Sequence, residues 1–79
     1  MEWVEVIERT LEYIKLRYYP DKNSAIGSFG EVTYFFTEDK WTFDKIVGGS
    51  RYAMHACNFA RRRYKNNEKI PQNGLVAWC

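Results

Sequence analysis

Apolar side chains recur at intervals of three and four along the first part of the chain, residues 2–19. That spacing places side chains on one face of an α-helix. Acidic residues come early in the segment and basic residues late, as the helix dipole favours, and Pro20 would end the helix. The pattern therefore predicts an amphipathic helix over residues 2–19. Its apolar stripe consists of Val4, Ile7, Leu11, Ile14 and Tyr18.

The pattern changes to alternation after residues 20–30, a segment rich in the turn formers Pro, Asp, Asn, Ser and Gly. Residues alternate in character over 31–37 and again over 41–43, and both segments are rich in β-branched and aromatic residues. The polar residues between them are typical of a tight turn. We predict an antiparallel hairpin in which Phe35 and Tyr34 lie on opposite faces.

A second helix is predicted after Gly48-Gly49, where the alternation stops. Ser50 is a favourable N-cap, and helical spacing runs over residues 51–66. The two asparagines that follow would end the helix, because Asn tolerates the left-handed conformation of a helix C-terminus. One alternative stays open, since helical spacing also extends back to Thr42 and a longer helix would contain both glycines.

The last apolar segment, residues 75–78, follows a turn and is predicted to add a short strand to the hairpin. The order of elements is then α-β-β-α-β. We therefore predict an α+β fold, in which a small antiparallel sheet, made of the hairpin and the short C-terminal strand, packs with two helices. The chain has 79 residues, and we expect one domain, residues 1–79.

Composition limits the setting in which the protein works. The chain is 46% apolar and 28% charged, which is typical of a globular protein. Its first residues are acidic where a secretory signal is basic, and no apolar run reaches the roughly 18 residues that a membrane span needs. We expect a cytoplasmic protein with no membrane partner. Cys57 and Cys79 would be thiols there, although the sequence leaves a disulfide open.

Charge is divided unevenly along the chain. The net charge is −3 over residues 1–50 and +5 over residues 51–79, which gives +2 overall. A basic segment of this kind is typical of contact with nucleic acid or an acidic protein. On the second predicted helix the polar residues form a stripe, with an arginine cluster beside it and small residues opposite. The candidate binding residues are Arg51, His55, Asn58, Arg61, Arg62, Arg63 and Lys65.

A structural interpretation of this cluster also stays open. Cations near a helix C-terminus complement the helix dipole, their stems cover apolar surface, and the acidic first helix would be a suitable partner. The close spacing of positive charge favours a binding role for the cluster, because three consecutive arginines repel one another. Residues 50–63 resemble the arginine-rich helix of bacterial RNA polymerase omega subunits. The rest of the chain does not follow that family, so the resemblance implies no family assignment.

The aromatic residues of the hairpin indicate a second candidate surface. If two helices cover one face of the sheet, the other face stays open to solvent. An aromatic patch there, with Phe35 and Trp41, would serve as a base-stacking platform or as a protein or homodimer interface.

Catalytic and metal-binding chemistry is not indicated by any motif. His55 is the only histidine, and on a helix it points about 200° away from Cys57, so the two would not share a metal ion. No nucleophile motif is present, and nothing distinguishes any pair of carboxylates. We predict no catalytic residues, no metal, no cofactor and no small-molecule substrate.

These patterns favour a small binding protein that is not an enzyme. The first hypothesis is an accessory or inhibitory protein, of a kind that phages or mobile elements encode, which inhibits a host nucleic-acid-handling or defence complex. It would use the basic helix to bind nucleic acid or an acidic protein surface. The alternative is a protein–protein module or homodimer that uses the aromatic sheet face, with a structural arginine cluster.

Overall fold

Five strands and one helix form the parts of the chain that the computed structural model describes, residues 2–20 and 28–77. Thr10 helps to close the turn between the first two strands, because its Oγ1 accepts hydrogen bonds from the backbone N–H groups of Glu12 and Tyr13, both at 3.1 Å. The elements are β1 (Glu2–Arg9), β2 (Tyr13–Tyr19), β3 (Gly30–Phe35), β4 (Lys40–Lys45), α1 (Ser50–Lys65) and β5 (Asn73–Val76).

The five strands make one antiparallel sheet in the order β4-β3-β2-β1-β5. The first four strands follow one another as a meander. The chain then crosses one face of the sheet as α1 and returns to place β5 beside β1, with Leu75 opposite Trp3. Strands β4 and β5 are therefore the two edges of the sheet.

The predicted helix over residues 2–19 is wrong. Its stripe would bury Leu11, yet Leu11 is 99% exposed and lies in the turn between β1 and β2. The buried residues of β2 are instead two apart, Ile14, Leu16 and Tyr18, all with 0% exposure. A bulge between Val6 and Glu8 shifts the alternation of β1 by one residue. Because of this shift, the apolar residues of the two strands recur at intervals of three and four, as they would in a helix.

The predicted order α-β-β-α-β and the packing of two helices are therefore also wrong, since the described residues form one helix and a sheet of five strands. The last strand was assigned to the wrong neighbour as well. In the hairpin, β3 already pairs with β2 and β4, whereas β1 offers a free edge that β5 completes. The hairpin itself and its turn before Lys40 are confirmed.

The basic helix is confirmed within one residue, and the longer helix from Thr42 is not formed because Lys40–Lys45 is a strand. Ser50 is the first helical residue and not the N-cap. Gly49 occupies the cap position with a φ of 98°, a conformation that favours glycine, and no side chain caps this end.

The helix ends as the two asparagines predict. Asn67 takes the left-handed conformation, with a φ of 57°. The backbone N–H groups of Asn67 and Glu68 donate to the carbonyl oxygens of Tyr64 and Arg63, which is the Schellman arrangement.

The hydrophobic core lies between α1 and one face of the sheet, here called the helix face. The small residues Ala53, Ala56 and Ala60 are fully buried and allow the helix to approach the sheet closely. The strands contribute the buried residues Val4, Ile14, Leu16, Tyr18, Val32 and Tyr34. The opposite face, here called the open sheet face, has no layer packed on it from the described residues. None of the described helical residues forms a segment long and apolar enough to cross a membrane.

Candidate functional site

The seven candidate binding residues all lie on α1, and the packing of the helix divides six of them into two groups. One flank of the helix faces the turn between β3 and β4. On this flank Arg61 donates from Nε to Oδ1 of Asp39 at 2.8 Å and from Nη2 to Oδ2 at 3.2 Å. Lys65 places its Nζ 3.5 Å from the same Oδ2. Two of the five cations among the candidate residues are therefore paired within the protein.

Tyr34 completes this arrangement, here called the Asp39 cluster: Tyr34, Asp39, Arg61 and Lys65. The Tyr34 hydroxyl donates to Asp39 Oδ1 at 2.7 Å. The hydrogen bonds from Arg61 and Tyr34 hold the pKa of the Asp39 carboxyl well below its usual range. Burial and the hydrogen bond to Asp39 raise the pKa of Tyr34 to about 12. This cluster attaches the helix to the hairpin turn.

The other flank of α1 faces β5 and leaves a groove of about 290 Å3 between helix and strand. We call it the α1–β5 groove. Four of the seven candidate residues line it, His55, Asn58, Arg62 and Arg63. The remainder of its lining consists of Phe59, Val76 and Ala77 and of Leu75, whose side chain itself points to the open sheet face. No carboxylate is among the described residues that line the groove, which makes it a cationic site with an apolar floor.

The two arginines of the groove are held differently. Arg63 lies over the Phe59 ring, with its guanidinium carbon 4.3 Å from the ring centroid, and its Nη1 donates to the Phe59 carbonyl at 2.9 Å. Phe59 is itself packed so closely against Gly74 that a Cβ there would lie 2.8 Å from the ring. Arg62 is exposed, and within the described residues it has no hydrogen-bond or ion-pair partner. It is therefore available to a ligand.

His55 adds a polar group to the groove without adding charge. Burial, and then the positive charge of Arg51, lower the pKa of the His55 imidazole. The neutral form of the ring is therefore favoured, and in this form one nitrogen donates and the other accepts. Arg51 is exposed one turn before His55, outside the groove.

Two further cations near the groove are not among the seven candidate residues. A shallow depression beside it is lined by Arg9 from β1 and by Lys69, which follows the helix, together with Arg63. Lys69 follows the helical pattern too late to be assigned to the stripe, and Arg9 was assigned to a helix that does not form. The sequence also does not predict that residues Leu75 to Ala77 line the groove, because it places the last strand beside the hairpin.

The two aromatic candidates lie on opposite faces of the sheet. Phe35 is on the open sheet face, where its ring lies 5.9 Å from that of Tyr13. Trp41 pairs with Tyr34 on the helix face and packs against the core. The structure therefore does not bring Phe35 and Trp41 together in one patch.

The open sheet face carries a row of alternating charge across four strands. The strand register places Lys45, Glu31, Arg17 and Glu5 side by side. Arg17 donates to Glu31 at 3.1 Å. A row of this kind stabilises neighbouring strands and keeps the face compatible with water.

The described residues contain no group of three His, Cys, Asp or Glu side chains that could hold a metal ion. Cys57 is a buried free thiol, and its burial raises its pKa, so it is a poor nucleophile. Cys79 lies outside the described residues.

No protein-family model matches the chain, and neither does any curated protein or any solved structure.

Proposed function

We propose that this protein is a non-enzymatic binding protein that holds an anionic macromolecule in the α1–β5 groove. The observation that carries the proposal is the lining of the groove, where Arg62 and Arg63 stand without a carboxylate among the described lining residues. An arginine guanidinium presents a planar set of donors that fits phosphate and carboxylate groups equally well. The shared chemistry of the ligand is therefore an oxyanion.

The Asp39 cluster reduces the number of cations on α1 that are available to a ligand. Arg61 and Lys65 already share the Asp39 carboxylate, so a ligand would have to compete with an internal partner at both. The groove requires no such competition at Arg62. Asn58 also lines the groove and offers further hydrogen bonds to the same ligand, and Phe59 and Val76 form its apolar part.

The proposal retains the accessory or inhibitory role expected of a small binding protein, including one directed at a host nucleic-acid-handling or defence complex. It also retains the cytoplasmic location.

The test is a titration with anionic polymers followed by fluorescence anisotropy. The probes are a short single-stranded DNA, a short duplex and a labelled polyglutamate, each at low and at physiological salt. We expect at least one to bind with an affinity that falls steeply as salt rises. Arg62→Glu should reduce that affinity by about tenfold or more, whereas Lys40→Glu, the same change at an exposed position on β4, should not. The absence of binding to all three probes would refute the proposal.

A second candidate function, self-association through the open sheet face, rests on a different observation. Tyr19, Trp3 and Leu75 lie side by side at one end of that face, and Leu75 is 53% exposed. Trp3 and Tyr19 are half-buried, and a partly exposed row of large apolar side chains is typical of an interface. Sedimentation analysis should then show dimers that Leu75→Lys dissociates, and a monomer at high concentration would exclude this candidate.

A further inference from the structure

We propose that the ligand of the α1–β5 groove is an extended acidic polypeptide segment that adds to β5 as a sixth strand of the sheet. This inference rests on the proposed function and names the class of partner. The groove runs between a helix and an edge strand, and this is where strand addition takes place, because the outer backbone groups of an edge strand are unpaired.

The two edges of the sheet differ in how well they are protected. Along β4, three of six residues are charged, Lys40, Asp44 and Lys45, and a register shift between Glu31 and Val32 disturbs its pairing with β3. Charges and bulges are the usual means by which an edge strand avoids further pairing. In β5, the sequence Asn-Gly-Leu-Val has no charged residue and no register shift against β1. The edge beside the groove is thus the one suited to a new strand.

The surroundings of β5 specify the side chains of the added strand. Side chains pointing to the helix face would enter the groove and meet Arg62 and Arg63. Side chains pointing the other way would lie beside Leu75, which is half exposed on the open sheet face. Because strand residues alternate between faces, the partner should alternate acidic and apolar residues.

The same groove suits nucleic acid less well. Unpaired bases bind proteins mainly by stacking on exposed aromatic rings. The aromatic ring in the described lining belongs to Phe59, which is 5% exposed and lies beneath the Arg63 guanidinium. The cations in and beside the groove number four, Arg9, Arg62, Arg63 and Lys69, which suits two or three carboxylates better than a long run of phosphates.

The experiment uses a fluorescein-labelled peptide of alternating Glu and Val with the full chain. Two matched peptides serve as controls, one with Lys in place of Glu and one with N-methyl groups on alternate backbone nitrogens, which removes one row of strand donors. We expect the Glu peptide to bind. Both control peptides should bind with an affinity that is lower by about tenfold or more. Arg62→Gln should weaken binding of the Glu peptide, whereas Lys40→Gln should leave it unchanged.

Other outcomes separate failure of strand addition from failure of the oxyanion site. If the single-stranded DNA binds and the Glu peptide does not, or if N-methylation has no effect, strand addition is refuted and the oxyanion site stands. If neither the peptide nor any anionic polymer binds, both proposals fail. A circular dichroism spectrum of each variant shows that the fold is retained.

Discussion

The two flanks of α1 carry similar residues and do different things with them. On the flank facing the hairpin turn, Arg61 and Lys65 converge on Asp39, and the carboxylate is further held by Tyr34. On the flank facing β5, Arg62 has no partner among the described residues, and Arg63 is fixed over a ring with its guanidinium at the edge of a groove. One flank joins the helix to the sheet, and the other offers charge to a ligand.

This difference shows that a run of basic residues is not one functional unit. Arg61 and Arg62 are neighbours in sequence, but on a helix they point about 100° apart, so one meets the turn and the next does not. Their surroundings, and not their residue type, decide whether they stabilise the fold or bind a partner. Substitutions on the two flanks should therefore differ in their effect on stability, and three experiments test this difference.

The largest effect is expected from removing the ring under the groove. Phe59→Ala should lower the free energy of unfolding by about 3 kcal/mol, because a buried ring that packs on Gly74 and supports Arg63 is lost. The control is Tyr64→Ala on the other flank, where the ring is 40% exposed and stacks on Phe36, and the loss should be about 1 kcal/mol. Urea unfolding measures both, and equal losses would contradict the packing difference.

An intermediate effect is expected from reversing the charge of adjacent residues. Arg61→Glu would bring a carboxylate to Asp39 and remove its bidentate partner, so the urea midpoint should fall clearly. Arg62→Glu changes the same charge in the same turn, and its effect on the helix dipole is similar. Because Arg62 has no ion-pair partner within residues 2–20 and 28–77, its midpoint should fall much less. Similar midpoints for the two variants would show that the flanks do not differ.

The smallest effect should appear in the pH dependence of stability. The pKa of Asp39 is lowered in the folded protein, so its stabilising contribution is fully present above the unfolded pKa of about 4 and is lost as pH falls through the folded value. The difference in melting temperature between the parent protein and Asp39→Asn should therefore shrink as the solution is acidified below pH ~4. Arg62→Gln should show no such trend. A difference that grows in acid would contradict the cluster.

The parts of the fold that could be predicted are those with local signals. Helix α1 has its spacing and its terminal asparagines within one segment, and the β3–β4 hairpin has alternation around a polar turn. The β1–β2 hairpin failed because the bulge at Val6 breaks the alternation and the spacing across the turn imitates a helix. The β-branched residues of β1 and the short polar turn at Thr10 were the available counter-signals.

The candidate site could be predicted only on the helix. The helical spacing placed Arg51, His55, Asn58, Arg62 and Lys65 in one stripe. The structure places His55, Asn58 and Arg62 in the groove, but Arg51 lies outside it and Lys65 pairs with Asp39. It gave no information on Asp39, because a carboxylate 22 residues from Arg61 reaches it only through the tertiary fold. The strand side of the groove depends on the pairing of β5 with β1, and no local pattern encodes that pairing.

The pairing of β5 with β1 also has a kinetic and thermodynamic meaning. It joins nearly the two extremes of the described chain, with Val76 beside Glu2. Closing so long a loop costs more entropy than forming any hairpin of the meander, and only four residue pairs repay it. The edge that forms the groove is thus the part of the sheet most readily lost in local opening. A strand that binds there would stabilise that last pairing, so that occupancy of the groove and completion of the fold belong to one linked equilibrium.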